Sequence, residues 1–382
     1  MCTLFGWPKP GGPYAVGLTT WLISDPSRLE PFLPAGAGPR EFMAHVWYPA
    51  QPGPKDDPLG ATVAFPEAGA WHPRPAARLV MRQDPLPSTL RQLIQRFNLP
   101  GAAYNQVTFL RTHSYPEAPV AGSAAPFPVL VFSHAYWLES ATSHTYLMEE
   151  LASRGYVVAS LSHPYESLAT VFPDGRIVAL DLDNPRLDAE RRFAQLAAIT
   201  RERSPLMEAS LQLWAADTHC LLDEVERRNA AAGEGLAGRL DVNRIGVFGV
   251  GFGGSVAGQV CRAERRCAAG INIDGLQVPL GDVAEHALER PFMFVTSEEH
   301  RGVNALIVEQ ARQAAYQITL DGARPLDLTG AAMWFPLLAE LTDFEGGSAY
   351  QIQRSLNAYC LAFFDRHLRG LAAPLLDEPQ TV

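Results

Sequence analysis

The chain is short of positive charge: 31 Lys and Arg stand against 41 Asp and Glu, a net charge of −10. That balance argues against nucleic acid or an anionic membrane as the main partner. No run approaches 18 consecutive apolar residues, so no membrane span is expected. Residues Met1–Thr20 lack the charged start and apolar stretch of a signal peptide. Cysteine is sparse, with five residues (Cys2, Cys220, Cys261, Cys267, Cys360) and no pair at metal-ligand or redox spacing. Cys261 and Cys267 therefore read as packing residues, and the expected setting is reducing and cytoplasmic. Internal repeats and low-complexity segments are also absent.

What is present is an ordinary globular composition, 47% hydrophobic over 382 residues, enough to bury a large core. The first hundred residues are rich in Pro and Gly, with one clear strand at Met43–Tyr48, surface excursions around Pro52–Pro58 and Trp71–Pro75, and a helix over Ser88–Phe97. A regular alternation follows. Apolar runs predict strands at Phe127–Ser133, Tyr156–Leu161, Ile245–Val250, Ala269–Ile273, Phe292–Thr296 and Tyr316–Leu320. Amphipathic patterns predict helices at Ser143–Arg154, Asp217–Arg228, Ser255–Glu264 and Gln351–Leu368. The alternation implies a single α/β domain over 1–382, with a mostly parallel, doubly wound sheet. Residues 183–214 are surplus to that sheet and read as a helical cap over the carboxyl ends of the strands. Leu371–Val382 reads as a tail.

One further lack matters more than the others. Gly249-Val250-Gly251-Phe252-Gly253 has the strand-to-helix context of a G-x-S-x-G nucleophile elbow, but its central residue is glycine. Around this point the chain resembles the platelet-activating-factor acetylhydrolase group of α/β-hydrolases, especially its bacterial branch. The resemblance rests on Gly12–Gly17, Val46–Ala50, His113-Ser114-Tyr115, Val131–His134, Asn272–Gly275, Ser297-Glu298 and Phe363–Arg366. It implies an α/β-hydrolase fold, with Asp274, 23 residues after Gly251, as the acid of a triad. It also implies oxyanion donors at the backbone N–H groups of Tyr136 and Phe252. Two triad positions depart from the family: Gly251 stands for the nucleophile, beside Val250 where the family has His, and Pro325 stands for the catalytic His. Downstream of Pro325 only His367 remains, on the terminal helix.

Losing Ser or His from a triad costs on the order of 10⁶ in turnover, and losing both costs little more. Oxyanion stabilisation and binding, roughly 10³–10⁴ over water, can survive that loss. Asp274 without a histidine would be a spare carboxylate, whose pKa desolvation raises toward that of a general base. Three readings follow. The first is a non-hydrolytic enzyme performing elimination, isomerisation or cyclisation next to a carbonyl of an apolar small molecule, possible in natural-product biosynthesis, with Asp274 or His163 as base. The second is a catalytically silent binding or scaffold protein. The third is an esterase with a displaced triad. His134, Trp137, Val250, Asp327 and Trp334 are candidate pocket residues, with core or loop roles as the plainer readings; the same holds for Trp214 and Phe335. His134 would shape the oxyanion loop, and Glu139 and Glu166 read as surface residues. Ser255 would be buried against the sheet. Glu298-Glu299-His300 is rejected as a metal site, because adjacent residues on a strand end face opposite ways. No metal and no cofactor are expected, and the oligomeric state is left open.

Overall fold

The computed structural model describes residues 7–53, 112–137, 139–192, 204–233, 235–277, 287–330, 333 and 349–377. Among the described residues there are eleven strands: β1 (Ala15–Leu29), β2 (Pro39–Ala50), β3 (Ser114–Pro116), β4 (Phe127–Ser133), β5 (Val157–Leu161), β6 (Ala169–Val171), β7 (Ile177–Ala179), β8 (Leu240–Val250), β9 (Cys267–Ile273), β10 (Phe292–Ser297) and β11 (Ala315–Leu320). The helices are α1 (Thr145–Ser153), α2 (Pro205–Ala230), α3 (Phe252–Ala263), α4 (Ala305–Gln310) and α5 (Ala349–Arg369). Nine strands form one sheet in the order β11-β10-β9-β8-β4-β5-β2-β1-β3, and β6 and β7 form a separate ribbon.

The six strands from β5 to β11 in that order run parallel, while β2 is antiparallel to both β5 and β1. Strand β4 is buried at all seven positions, as a strand covered on both faces must be. Helices α2 and α3 pack together on one face, and α1 and α5 on the other. The chain reverses direction across the sheet between β4 and β8, and open α/β sheets place ligands at the carboxyl ends there.

Most of the expected strands and helices are found within a few residues of their sequence bounds. The exceptions have identifiable causes. Strand β1 was not anticipated, because Asp25-Pro26-Ser27-Arg28 interrupts its apolar pattern; the ladder with β2 shifts register there. Helix α2 begins at Pro205 rather than Asp217, so residues 205–214 of the expected cap are continuous with a helix of the main layer. The expected tail begins as a packed segment: Pro374–Leu376 forms a short 3-10 turn, and the Arg366 guanidinium donates to Ala373 O (2.9 Å) and Asp377 Oδ2 (2.7 Å). Cys261 and Cys267 are joined in a disulfide rather than merely packed, because the turn from α3 to β9 brings their Cα atoms within 5.2 Å. The excursions beyond Gly53, the helix at Ser88–Phe97, Trp334 and Phe335 lie outside the described residues.

One ion-pair cluster ties the antiparallel half of the sheet to α2. Arg40 and Asp217 are completely buried, joined by Nη2–Oδ2 at 2.8 Å and Nε–Oδ1 at 3.3 Å. Arg40 Nη1 also donates to Glu30 (2.7 Å), and Arg28 Nη1 donates to Asp217 Oδ1 (2.9 Å). Burial alone would raise the Asp217 carboxyl, but the adjoining Arg40 and His163 hold it well below the usual carboxylate range. Removing one partner strands the other charge in the core. Asp217→Asn is therefore expected to lose about 3–5 kcal/mol in urea unfolding, and Arg40→Met/Asp217→Leu to lose less than either single variant.

Candidate active site

Gly251 sits between β8 and α3 at φ 55°, ψ −121°, a conformation L side chains rarely adopt. Its N–H donates to Ile273 O (2.7 Å), locking the elbow to the end of β9. Helix α3 lies directly against β4: a Cβ on Gly253 would fall 2.1 Å from Ser133 O. At Gly251 the side-chain direction is open, with only Ala135 Cβ (3.4 Å) and Cα (3.8 Å) within 4 Å. The two glycines should therefore differ in how strongly substitution destabilises. Gly251→Ala is expected to lose about 1–3 kcal/mol from backbone strain, and Gly253→Ala above about 4 kcal/mol from backbone overlap, both read from thermal or urea unfolding.

The loop after β4 offers one uncommitted donor. Ala135 N–H donates to Glu139 Oε2 (2.8 Å) and Trp137 N–H to Glu166 O (3.1 Å). Tyr136 N–H, between them, donates to no acceptor among the described residues. Phe252 N–H, first in α3, has no intrahelical acceptor and lies at the positive end of the helix dipole. The Tyr136 and Phe252 rings meet edge to face at 5.1 Å, so the two residues are neighbours beside Gly251.

The loop is held from beneath by two buried carboxylates that were expected at the surface. Glu139 also accepts from Gly330 N–H (2.6 Å) and lies 3.0 Å from His144 Nε2. Burial would raise its carboxyl, but His144 and the backbone donors hold it below the ordinary range. Glu166 accepts from Tyr136 Oη (2.7 Å), Trp214 Nε1 (2.7 Å), Arg192 Nη1 (2.8 Å) and Ser210 Oγ (2.5 Å). Arg192 belongs to the expected cap, which this network ties to the loop carrying Tyr136. A charged residue closed in by four donors from three separate segments is not legible as buried from its type alone.

Asp274 lies beyond β9 at φ 57° and is 7% exposed. It is not the spare carboxylate that the sequence led us to expect. Its Oδ1 accepts from Ser297 N–H (2.8 Å), and its Oδ2 lies 3.1 Å from His300 Nδ1. The second contact is close without the alignment of a linear hydrogen bond. His300 is past the end of β10, in a turn, so strand alternation does not govern where its ring points; that assumption concealed it. Asn272, Gln277 and Asn304 were also missed. Asn272 Oδ1 accepts from Gly275 N–H (2.7 Å), Gln277 Nε2 donates to Ser255 O (3.0 Å), and Asn304 Nδ2 donates to Gly275 O (2.8 Å), fastening the Asp274 turn to α3.

A buried Ser–His–Asp file runs below the loop. Ser133 Oγ is 3.3 Å from His163 Nε2, and His163 Nδ1 is 3.0 Å from Asp217 Oδ2. All three residues are buried, and the His163 ring stacks on Trp214 at 3.8 Å. Both His163 nitrogens are thus occupied, and burial lowers its pKa despite Asp217. His134 is completely buried, with Nδ1 2.8 Å from Ala135 O, and burial together with His163 pushes its pKa down to about 3. Trp137 stacks on Tyr136, and Val250 is core. Asp327 is buried rather than solvated: it follows Pro325 in a 3-10 turn and accepts from Arg324 N–H (2.8 Å). Ser255 Oγ donates to Leu276 O (3.2 Å), and His367 Nε2 lies 3.1 Å from Tyr316 Oη. Among the described residues, no three His, Cys, Asp or Glu side chains group as metal ligands, and no helix is long and apolar enough to cross a membrane.

Comparison with known proteins bears on this geometry. Residues 225–324 match the family described as platelet-activating factor acetylhydrolase, isoform II. The structure is similar to that of a ferulic acid esterase from Streptomyces cinnamoneus, with TM-score 0.72 and 26% identity over 99% of this chain and 97% of that one. No curated protein matches. The chain has an α/β-hydrolase fold.

Proposed function

We propose that the protein hydrolyses carboxylic esters of apolar small molecules, with the acyl carbonyl held at the Gly251 elbow. The observation that carries this reading is the pair of uncommitted N–H groups, Tyr136 and Phe252, beside an elbow of nucleophile geometry. Such donors stabilise the oxyanion that forms when an ester carbonyl is attacked. The likeness to an esterase over nearly the whole chain supports the same chemistry. Elimination, isomerisation or cyclisation next to a carbonyl draws no support from the comparisons. The free carboxylate it needs is also lacking, since both oxygens of Asp274 are engaged.

The Ser133–His163–Asp217 file favours a second reading, an esterase whose triad has moved beneath the loop. Its burial counts against it: Ser133 is 3% exposed, and its carbonyl is in backbone contact with α3. The disulfide removes the cysteine argument for a reducing compartment.

Release of p-nitrophenol from p-nitrophenyl esters and of ferulate from methyl ferulate tests the main reading. Phe252→Pro removes one oxyanion donor at a helix position that tolerates proline, and it should lower kcat by roughly 10²–10³. An unchanged kcat would place the acyl group elsewhere. A fluorophosphonate adduct on Ser133, lost in Ser133→Ala together with turnover, would establish the second reading instead.

A further inference from the structure

We propose that His300 is the general base of a serine-free ester hydrolysis, activating a water molecule at the position Gly251 leaves open; this rests on the ester-hydrolase reading above. The dyad and the elbow are adjacent. Asp274 lies between Ile273, whose carbonyl accepts the Gly251 N–H, and Gly275, where a Cβ would fall 2.3 Å from Gly251 O. Ser297 N–H fixes one carboxylate oxygen, leaving the other to face His300 Nδ1. That contact favours the tautomer with its proton on Nδ1 and a basic lone pair on Nε2. Nε2 has no hydrogen-bond partner among the described residues, and the side chain is 27% exposed, within reach of water. Across the elbow, the direction in which a serine hydroxyl would project is open.

The step balances without a covalent intermediate. The water oxygen bonds to the acyl carbon while His300 Nε2 takes one of its protons, and the carbonyl electron pair moves onto the oxygen held by Tyr136 and Phe252. Collapse re-forms the carbonyl and breaks the bond to the alcohol oxygen, which leaves with the proton from His300. The products are the carboxylic acid and the alcohol, and the imidazole is regenerated.

Interaction with Asp274 raises the His300 pKa from its usual 6.5, against the opposing effect of partial burial, and Glu299 adds to the rise. The other charged groups of the turn are engaged: Glu298 Oε2 by Gly322 N–H (2.7 Å), and Arg301 by Asp321. A base must be neutral to accept a proton, so kcat should climb with pH through a midpoint above 6.5.

The experiment measures kcat against pH for the full-length protein on p-nitrophenyl acetate, with intact-mass analysis of rapidly quenched reactions. His300→Ala and His300→Gln should each lower kcat roughly 10²–10⁴-fold and abolish the limb, with thermal unfolding unchanged. Asp274→Asn, which acts through His300, should lower kcat and move the midpoint down toward 6.5. No acyl adduct should appear. Wild-type turnover retained in both His300 variants, or an acylated serine, overturns the role of His300 while leaving ester hydrolysis standing. A wild type inactive on every ester tested overturns both.

Discussion

The site depends on a contact with no side chain in it. Helix α3 approaches β4 so closely that Gly253 lies against the Ser133 carbonyl, and the same turn fixes Gly251 at φ 55°. From that closeness follow the direction in which the elbow opens and the nearness of the Ala135–Tyr136 loop. Each is a property of backbone, so each persists when the central side chain is missing.

Two buried polar systems flank the frame and meet at Trp214, which stacks on His163 and donates to Glu166. The Arg40–Asp217–His163 chain joins the antiparallel strands to α2 and reaches the end of β4. The Glu166 cluster joins α2, the segment ending at Arg192 and the loop carrying Tyr136. Buried charge of this kind contributes little net stability relative to an apolar replacement, and in some systems it buys a unique arrangement instead. Here the Glu166 cluster links Tyr136 to α2 through Trp214 and Ser210.

The parallel half of the sheet was legible because its strands are continuous apolar runs bounded by turns; Phe127–Ser133 is matched to the residue. The elbow was legible because glycine spacing reports close backbone approach. Strand β1 was not, since a polar bulge broke its pattern, and Glu139 and Glu166 were not, since charge type predicts exposure unless the partners are known. His300 was visible but misjudged: alternation holds along a strand and fails in the turn that follows. Asp217 gave no signal in the sequence at all, because its partners are up to 189 residues away.

The Cys261–Cys267 bridge clips the far end of α3 to the first residue of β9, the two elements that carry the elbow and Asp274. Whoever produces the protein thus chooses between two covalent species by choosing the host. Secretion into an oxidising space delivers the cross-linked chain, whereas synthesis among abundant thiols delivers one whose helix terminus is free to fray. Batches prepared by the two routes are different molecules, and heat resistance measured on one does not transfer to the other.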